Sequence, residues 1–277
     1  MATIAELLAS SLNALKQVQR GEDFTIIKSS DLSRTHIKRL VDNHFLKPII
    51  KGWYVVTDPR ATPGDSTAWY ASFWSFISRY ANERYGNEWC LSAEQSLSIY
   101  TGATIIPNQV LIRAPKGNDY MVPLIPPTSV FNLGAELPSK IDTNNPYNLN
   151  LYTLAEAIIV ATPTMYRNDA LTMRTALAMV HDSSDILKIL VDTGQTVRAG
   201  RVIGAFRNIG RMDMADEIAG TMKRMGYIIY EEDPFERVME IHVSQSPYAV
   251  RLRLMWQNMR AVSYTHLRAH ETELHLV

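Results

Sequence analysis

Apolar residues recur at three- and four-residue steps between Thr3 and Gln19 (Ile4, Leu7, Leu8, Leu12, Leu15, Val18), which predicts an amphipathic helix that Gly21 ends. Phe24–Ile27 is a short β-type run. Ser33 stands in N-cap position ahead of RTHIKRLVDNHFL. In that second helix Ile37, Leu40, Val41 and Phe45 form the expected buried stripe, and Arg34, Thr35, Lys38 and Arg39 fall on the opposite, exposed side. LKPIIKGWYVV then reads as two β runs pivoting near Lys51-Gly52. A helix, a basic helix and a hairpin in this order predict a winged helix-turn-helix over residues 1–60.

Asp58–Asp65 is a polar joint containing Pro and Gly, and it opens a second unit expected over residues 61–165. STAWYASFWSFISRYANERYG predicts a helix with Trp69, Phe73, Phe76 and Tyr80 on its core face. Trp89–Gly102 predicts a shorter helix, with Cys90 as a buried apolar residue. QVLIRAP, MVPLIP and SVFNL are three short β runs, and LNLYTLAEAIIVA passes from strand to helix. The pattern is that of an α+β protein. Residues 166–261 read as helical: DALTMRTALAMV, SSDILKILVDTG, TVRAGRVIGAFRNIG and MDMADEIAGTMKRMG, then a strand YIIYEE broken by Asp233-Pro234-Phe235, and a last helix opening at Ser246-Pro247. Gly204, Gly210 and Gly220 fit neither phosphate-loop spacing and read as close packing and caps.

Charge sharpens this picture in one place. The 277-residue chain balances 28 Lys+Arg against 28 Asp+Glu, which excludes a wholly basic nucleic-acid coat. Yet residues 28–51 hold six cations (Lys28, Arg34, Lys38, Arg39, Lys47, Lys51) against Asp31 and Asp42. Side chains near the start of a recognition helix reach base edges in the major groove, and Arg and Lys hold phosphates. The candidate DNA-binding residues are therefore Arg34, Thr35, Lys38 and Arg39, with Lys47, Lys51 and Gly52 in the wing. The competing reading is a solvated helix face or a protein-contact module.

Other chemistry does not assemble. One cysteine excludes a disulfide scaffold. His36, His44, His181 and His242 are scattered, with no G-x-S-x-G or H-E-x-x-H, so no catalytic, cofactor-binding or metal residues are expected. Apolar runs fall well short of the ~20 residues that span a bilayer, and the N-terminus lacks a basic n-region. A cytoplasmic protein with no membrane partner is expected.

Val262–Thr272, VSYTHLRAHET, resembles a translated sequencing adapter, and 262–277 are set aside as an artefact together with His266, His270 and His275. Expected boundaries are thus 1–60, 61–165, 166–261 and 262–277, with the native C-terminus beyond the adapter junction unknown.

Several phrases carry a family resemblance: DLSRTHIKRLVDNHFLKPIIKGWYVV, the stretch from STAWYASFW to SLSIYTGA, QVLIRAPKG, AGRVIGAFRNIGRMDMADEIAGTMKRMGY and SPYAVRLRLMWQNMR. Together they resemble the N-terminal region of a long bacterial Fic-family protein. The winged-helix start and SAEQSLSIYTGA…NQVLIRAPKG are similar to AbiEi-type antitoxins. The resemblance implies an antitoxin-like regulatory module ahead of a Fic domain that transfers AMP from ATP to proteins. The Fic motif H-P-F-x-x-G-N-G-R is absent, so the chain itself is expected to be no enzyme. Duplex DNA, and the missing Fic domain or a cognate toxin, are the implied partners.

Overall fold

The first helix, α1 (Ile4–Gln19), has a narrower inner face than its periodicity predicts. Ser11 and Leu15 are buried, while Ile4, placed on the buried stripe from sequence, is 87 % exposed. The packing is made two turns further on, where the Nδ1 of His36 lies 2.9 Å from the Ser11 hydroxyl. A computed structural model provides this fold, and it describes residues 3–19, 25–62 and 64–235. Gly21, Phe24, His242, the helix expected from Ser246 and the adapter-like tail lie outside the described residues.

Next come β1 (Ile26–Lys28), α2 (Arg34–Asp42), β2 (Leu46–Ile50) and β3 (Trp53–Val56). The three strands form an antiparallel sheet in the order β1-β3-β2. Ser33 caps α2 as expected: its backbone is extended and its hydroxyl accepts from the His36 amide at 3.3 Å. The helix is shorter than the sequence suggests. Asn43 caps it, and His44 takes φ 60°, so Phe45 leaves the helix. Ile37 and Leu40 are buried with Leu15, Ile27, Leu32 and Leu46, whereas Val41 and Phe45 are only partly buried. Gly52 turns the hairpin at φ +84°, where a side chain would be strained and a Cβ would sit 3.2 Å from the Ser29 hydroxyl. Pro48 lies on β2, the edge strand, where its missing amide costs no ladder bond.

The long aromatic helix α3 (Thr67–Tyr85) follows. Trp69, Phe73, Phe76 and Tyr80 are buried, with Trp69 and Phe73 edge-to-face at 5.3 Å between ring centres. Cys90–Leu91 is a strand, β4, which corrects the expectation that the helix begins at Trp89. It pairs antiparallel with Ile112 and Arg113, a distant partner that local periodicity does not reveal. The helix α4 (Ala93–Tyr100) starts after it, capped by Ser92. Strands β5 (Gln109–Ala114), β6 (Tyr120–Pro123) and β7 (Ser129–Gly134) complete a sheet in the order β4-β5-β7-β6, with β5 and β7 parallel. Val110, Ile112 and Val130 pack with the rings of α3, and the Trp69 indole donates to Thr128 Oγ1 at 3.1 Å. Trp53, Ile26 and Val55 belong to the same cluster, so α3 is shared between both sheets.

The strand pair β8 (Ile141–Asp142) and β9 (Leu151–Tyr152) leads to helices α5 (Leu154–Val160), α6 (Pro163–Asn168), α7 (Ala170–Ala178), α8 (Ser184–Thr193), α9 (Thr196–Asn208) and α10 (Met212–Arg224). Tyr166, Ile203, Phe206 and Ile218 lie at the centre of their core. Tyr227–Glu232, expected to be a strand, pairs with no strand among the described residues. The chain is an α+β protein, and no described helix is long and apolar enough to cross a membrane.

Candidate nucleic-acid interface

Packing of α2 beside the β2–β3 hairpin brings Arg34, Thr35 and Lys38 together at one groove, while Lys47 lines a neighbouring depression with His44, Thr57 and Asp65, and Lys51 lines neither. Arg34, Thr35 and Lys38 are exposed and line an open groove of about 630 Å³ whose far wall is Pro48 and Tyr54 of the hairpin. Ile37, Val41 and Asp42 also line it. Lys47 and Lys51 are exposed on β2 and at the turn. Arg39 departs from expectation: it is half-buried. It lies three residues after His36, on the flank that α1 covers through Ser11, so α2 is packed on two sides rather than one.

The electrostatics divide the cations into two sets. Lys28, counted in the basic run, is already paired, its Nζ 2.6 Å from Glu83 of α3. Its amide donates to Asp31 Oδ2 at 2.8 Å, and Asp31 is 3.6 Å from Arg79, also of α3. Arg79 further donates to the Ile26 carbonyl. Both cations lie near the Trp53 ring, at 5.9 and 5.7 Å from its centre. By contrast, none of Arg34, Lys38, Arg39, Lys47 and Lys51 has a carboxylate within ion-pair distance among the described residues. The closest influence is on Asp65, whose carboxyl is held below its usual range first by hydrogen bonding to Thr67 and, to a smaller degree, by the Lys47 charge.

Pro48 and Tyr54 are groove residues that sequence reasoning missed. A turn at Lys51-Gly52 alone would set Ile49 opposite Tyr54; a bulge between Pro48 and Ile50 shifts the register by one and brings Pro48 there instead, which the sequence does not signal. Elsewhere, Cys90 is buried and its thiol is pushed up to about 12 by desolvation, a setting that suppresses nucleophilicity. His181 and Asp182 follow α7, and Asp182 caps the start of α8 by accepting from the Ser184 amide at 2.8 Å. Of the glycines, Gly210 turns the end of α9 at φ +82°, and Gly204 marks a close backbone approach.

No protein-family model matches the chain, and no curated protein matches it.

Proposed function

We propose that residues 3–60 form a winged helix that binds duplex DNA, within an antitoxin-like regulatory module of the kind that precedes a Fic domain. The observation that carries this reading is the set of uncompensated cations on α2 and the hairpin, on a protein that neutralises Lys28 and Arg79 nearby. The order α1–β1–α2–β2–β3, with a sheet ordered β1-β3-β2, supports it. In this reading the start of α2 enters the major groove, with Arg34 placed for a base edge or phosphate and Lys38 one turn behind. Lys47 and Lys51 contact the neighbouring backbone. The module itself transfers no AMP; that chemistry belongs to the Fic domain it regulates.

Titration of the full chain with fluorescent duplexes, including DNA upstream of its own gene, tests the proposal. Affinity that falls steeply with salt is expected. Absence of salt-dependent binding to every duplex rejects it.

A second reading is a protein-contact module that controls a Fic domain without touching DNA. It is favoured by an apolar groove between α4 and α7, lined by Trp74, Ile99, Ile105, Pro107 and Leu171, in which Ile105 and Leu171 are 85 % and 79 % exposed. Replacing both with glutamate abolishes capture of the cognate Fic domain if this reading holds and leaves it unchanged if not.

A further inference from the structure

Tyr227–Glu232 lies edge-on against α9. A Cβ built at Gly200 would meet the Tyr230 carbonyl oxygen at 2.0 Å, and one built at Gly204 would meet that of Glu232 at 2.1 Å. Four helical residues advance about 6 Å and two extended residues about 6.6 Å, so the segment runs extended along the helix. On the same edge the Glu232 amide donates to the Gly200 carbonyl at 3.3 Å. Successive residues of an extended chain present their N–H and C=O to opposite edges. Those of Ile229 and Glu231 therefore point away from α9, and among the described residues none of these four groups has a hydrogen-bond partner. Side chains alternate as in a sheet: Tyr227 and Ile229 pack on the helical core, while Ile228 and Tyr230 are 75 % and 85 % exposed.

We infer that this open edge pairs with the same edge of a second copy of the chain, antiparallel, about a twofold axis through Tyr230. The register is self-complementary. Ile229 of each copy stands opposite Glu231 of the other and exchanges both backbone hydrogen bonds with it. Tyr230 faces its counterpart and Ile228 faces Glu232. No carboxylate opposes another, and Arg207 already holds Glu231 at 2.6 Å within its own copy. The two neighbouring registers fail. An axis through Glu231 sets that carboxylate against itself. An axis through Ile229 requires the Tyr227 amide, which is already donated to the Met222 carbonyl at 3.1 Å. The interface needs neither DNA nor the α2 cations.

Sedimentation of the full chain from about 1 μM to about 1 mM tests the inference, and a monomer–dimer equilibrium is expected within that range. Tyr230→Lys, which sets two ammonium groups across the axis, raises the dissociation constant roughly tenfold, and Tyr230→Phe leaves it near the wild-type value. Glu231→Pro removes one outward amide and weakens the dimer well beyond Glu231→Ala, which loses the same carboxylate but keeps that amide. Far-ultraviolet circular dichroism shows that each variant retains its helices, and the Pro/Ala pair decides the matter if Tyr230→Lys does not fold. A wild-type chain that stays monomeric throughout, or a dimer indifferent to both Tyr230→Lys and Glu231→Pro, overturns the inference.

Discussion

Replacing Arg34 and Lys38 together with alanine removes two of the four exposed cations on α2 and the hairpin, the others being Lys47 and Lys51. If each of the four neutralises one phosphate, log affinity falls with log salt at a slope of about −3.6, and the double variant at about −1.8. Between 50 and 200 mM salt this is a loss of roughly 150-fold for the wild type and roughly 12-fold for the variant. Arg34 in contact with a guanine edge would leave the slope change near 0.9 and make the loss depend on sequence. Fluorescence anisotropy across a salt series, on specific and scrambled duplexes, separates the two outcomes. Both positions are exposed and unpaired, so folding stability should move by no more than about 0.5 kcal/mol. Arg34→Lys with Lys38→Arg keeps the charges and should keep the slope. Equal slopes for wild type and alanine variant would refute the assignment of these side chains to a polyanion.

Other consequences concern the scaffold. Leu40→Ala empties a fully buried site between α1, α2 and β2 and should destabilise by about 2–5 kcal/mol in urea unfolding. Gly204→Ala drives a methyl group into the Glu232 backbone and should lower stability by about 1–3 kcal/mol. Gly220→Ala, on α10 with only the Arg224 side chain at 4.0 Å, should raise it by about 0.5–1 kcal/mol. Cys90 should resist iodoacetamide in the native protein and react on unfolding. Its thiol is raised from 9.0 to about 12 in the folded state, so the unfolded chain releases that proton first. The associated stability is present below pH 9 and lost as pH climbs from 9 towards 12. Melting temperature should therefore fall above pH 9, less steeply in Cys90→Ala.

What the sequence made legible was local. The Ser33 cap, the Ile37–Leu40 spacing and the Gly52 turn each act within a few residues, and α2 and the hairpin follow from them. The aromatic face of α3 is legible for the same reason. Misreadings arose where a distant partner decides. Cys90–Leu91 is a strand because Ile112 and Arg113 lie beside it, and its apolar pair extends a helical pattern just as well. Tyr227–Glu232 is a short apolar run ending in two glutamates, which suggests extended chain and says nothing of what covers its edge. Here that edge rests on two glycines of α9 in place of a strand. A helical wheel places Arg39 on the exposed side because it assumes one neighbour, whereas α2 also meets α1.

The seam between β1 and α3 explains why the outer cations stand alone. Lys28 pairs with Glu83 and Arg79 with Asp31, with both cations beside Trp53, so these two carboxylates are engaged on the α3 side. Partly shielded ion pairs of this kind contribute modestly to stability. Their geometric effect is more definite, because Asp31 belongs to the turn that leads into Ser33 and so ties the start of α2 to a helix whose other face is buried in the second sheet. The end of α2 that would meet DNA is thus fixed at its base while its charged arc stays uncompensated. A test follows from the same geometry. Arg79→Met removes the tie while leaving Arg34 and Lys38 in place, so affinity for duplex should fall through a faster dissociation rate with an unchanged salt slope. A changed slope would mean that Arg79 itself meets the phosphates.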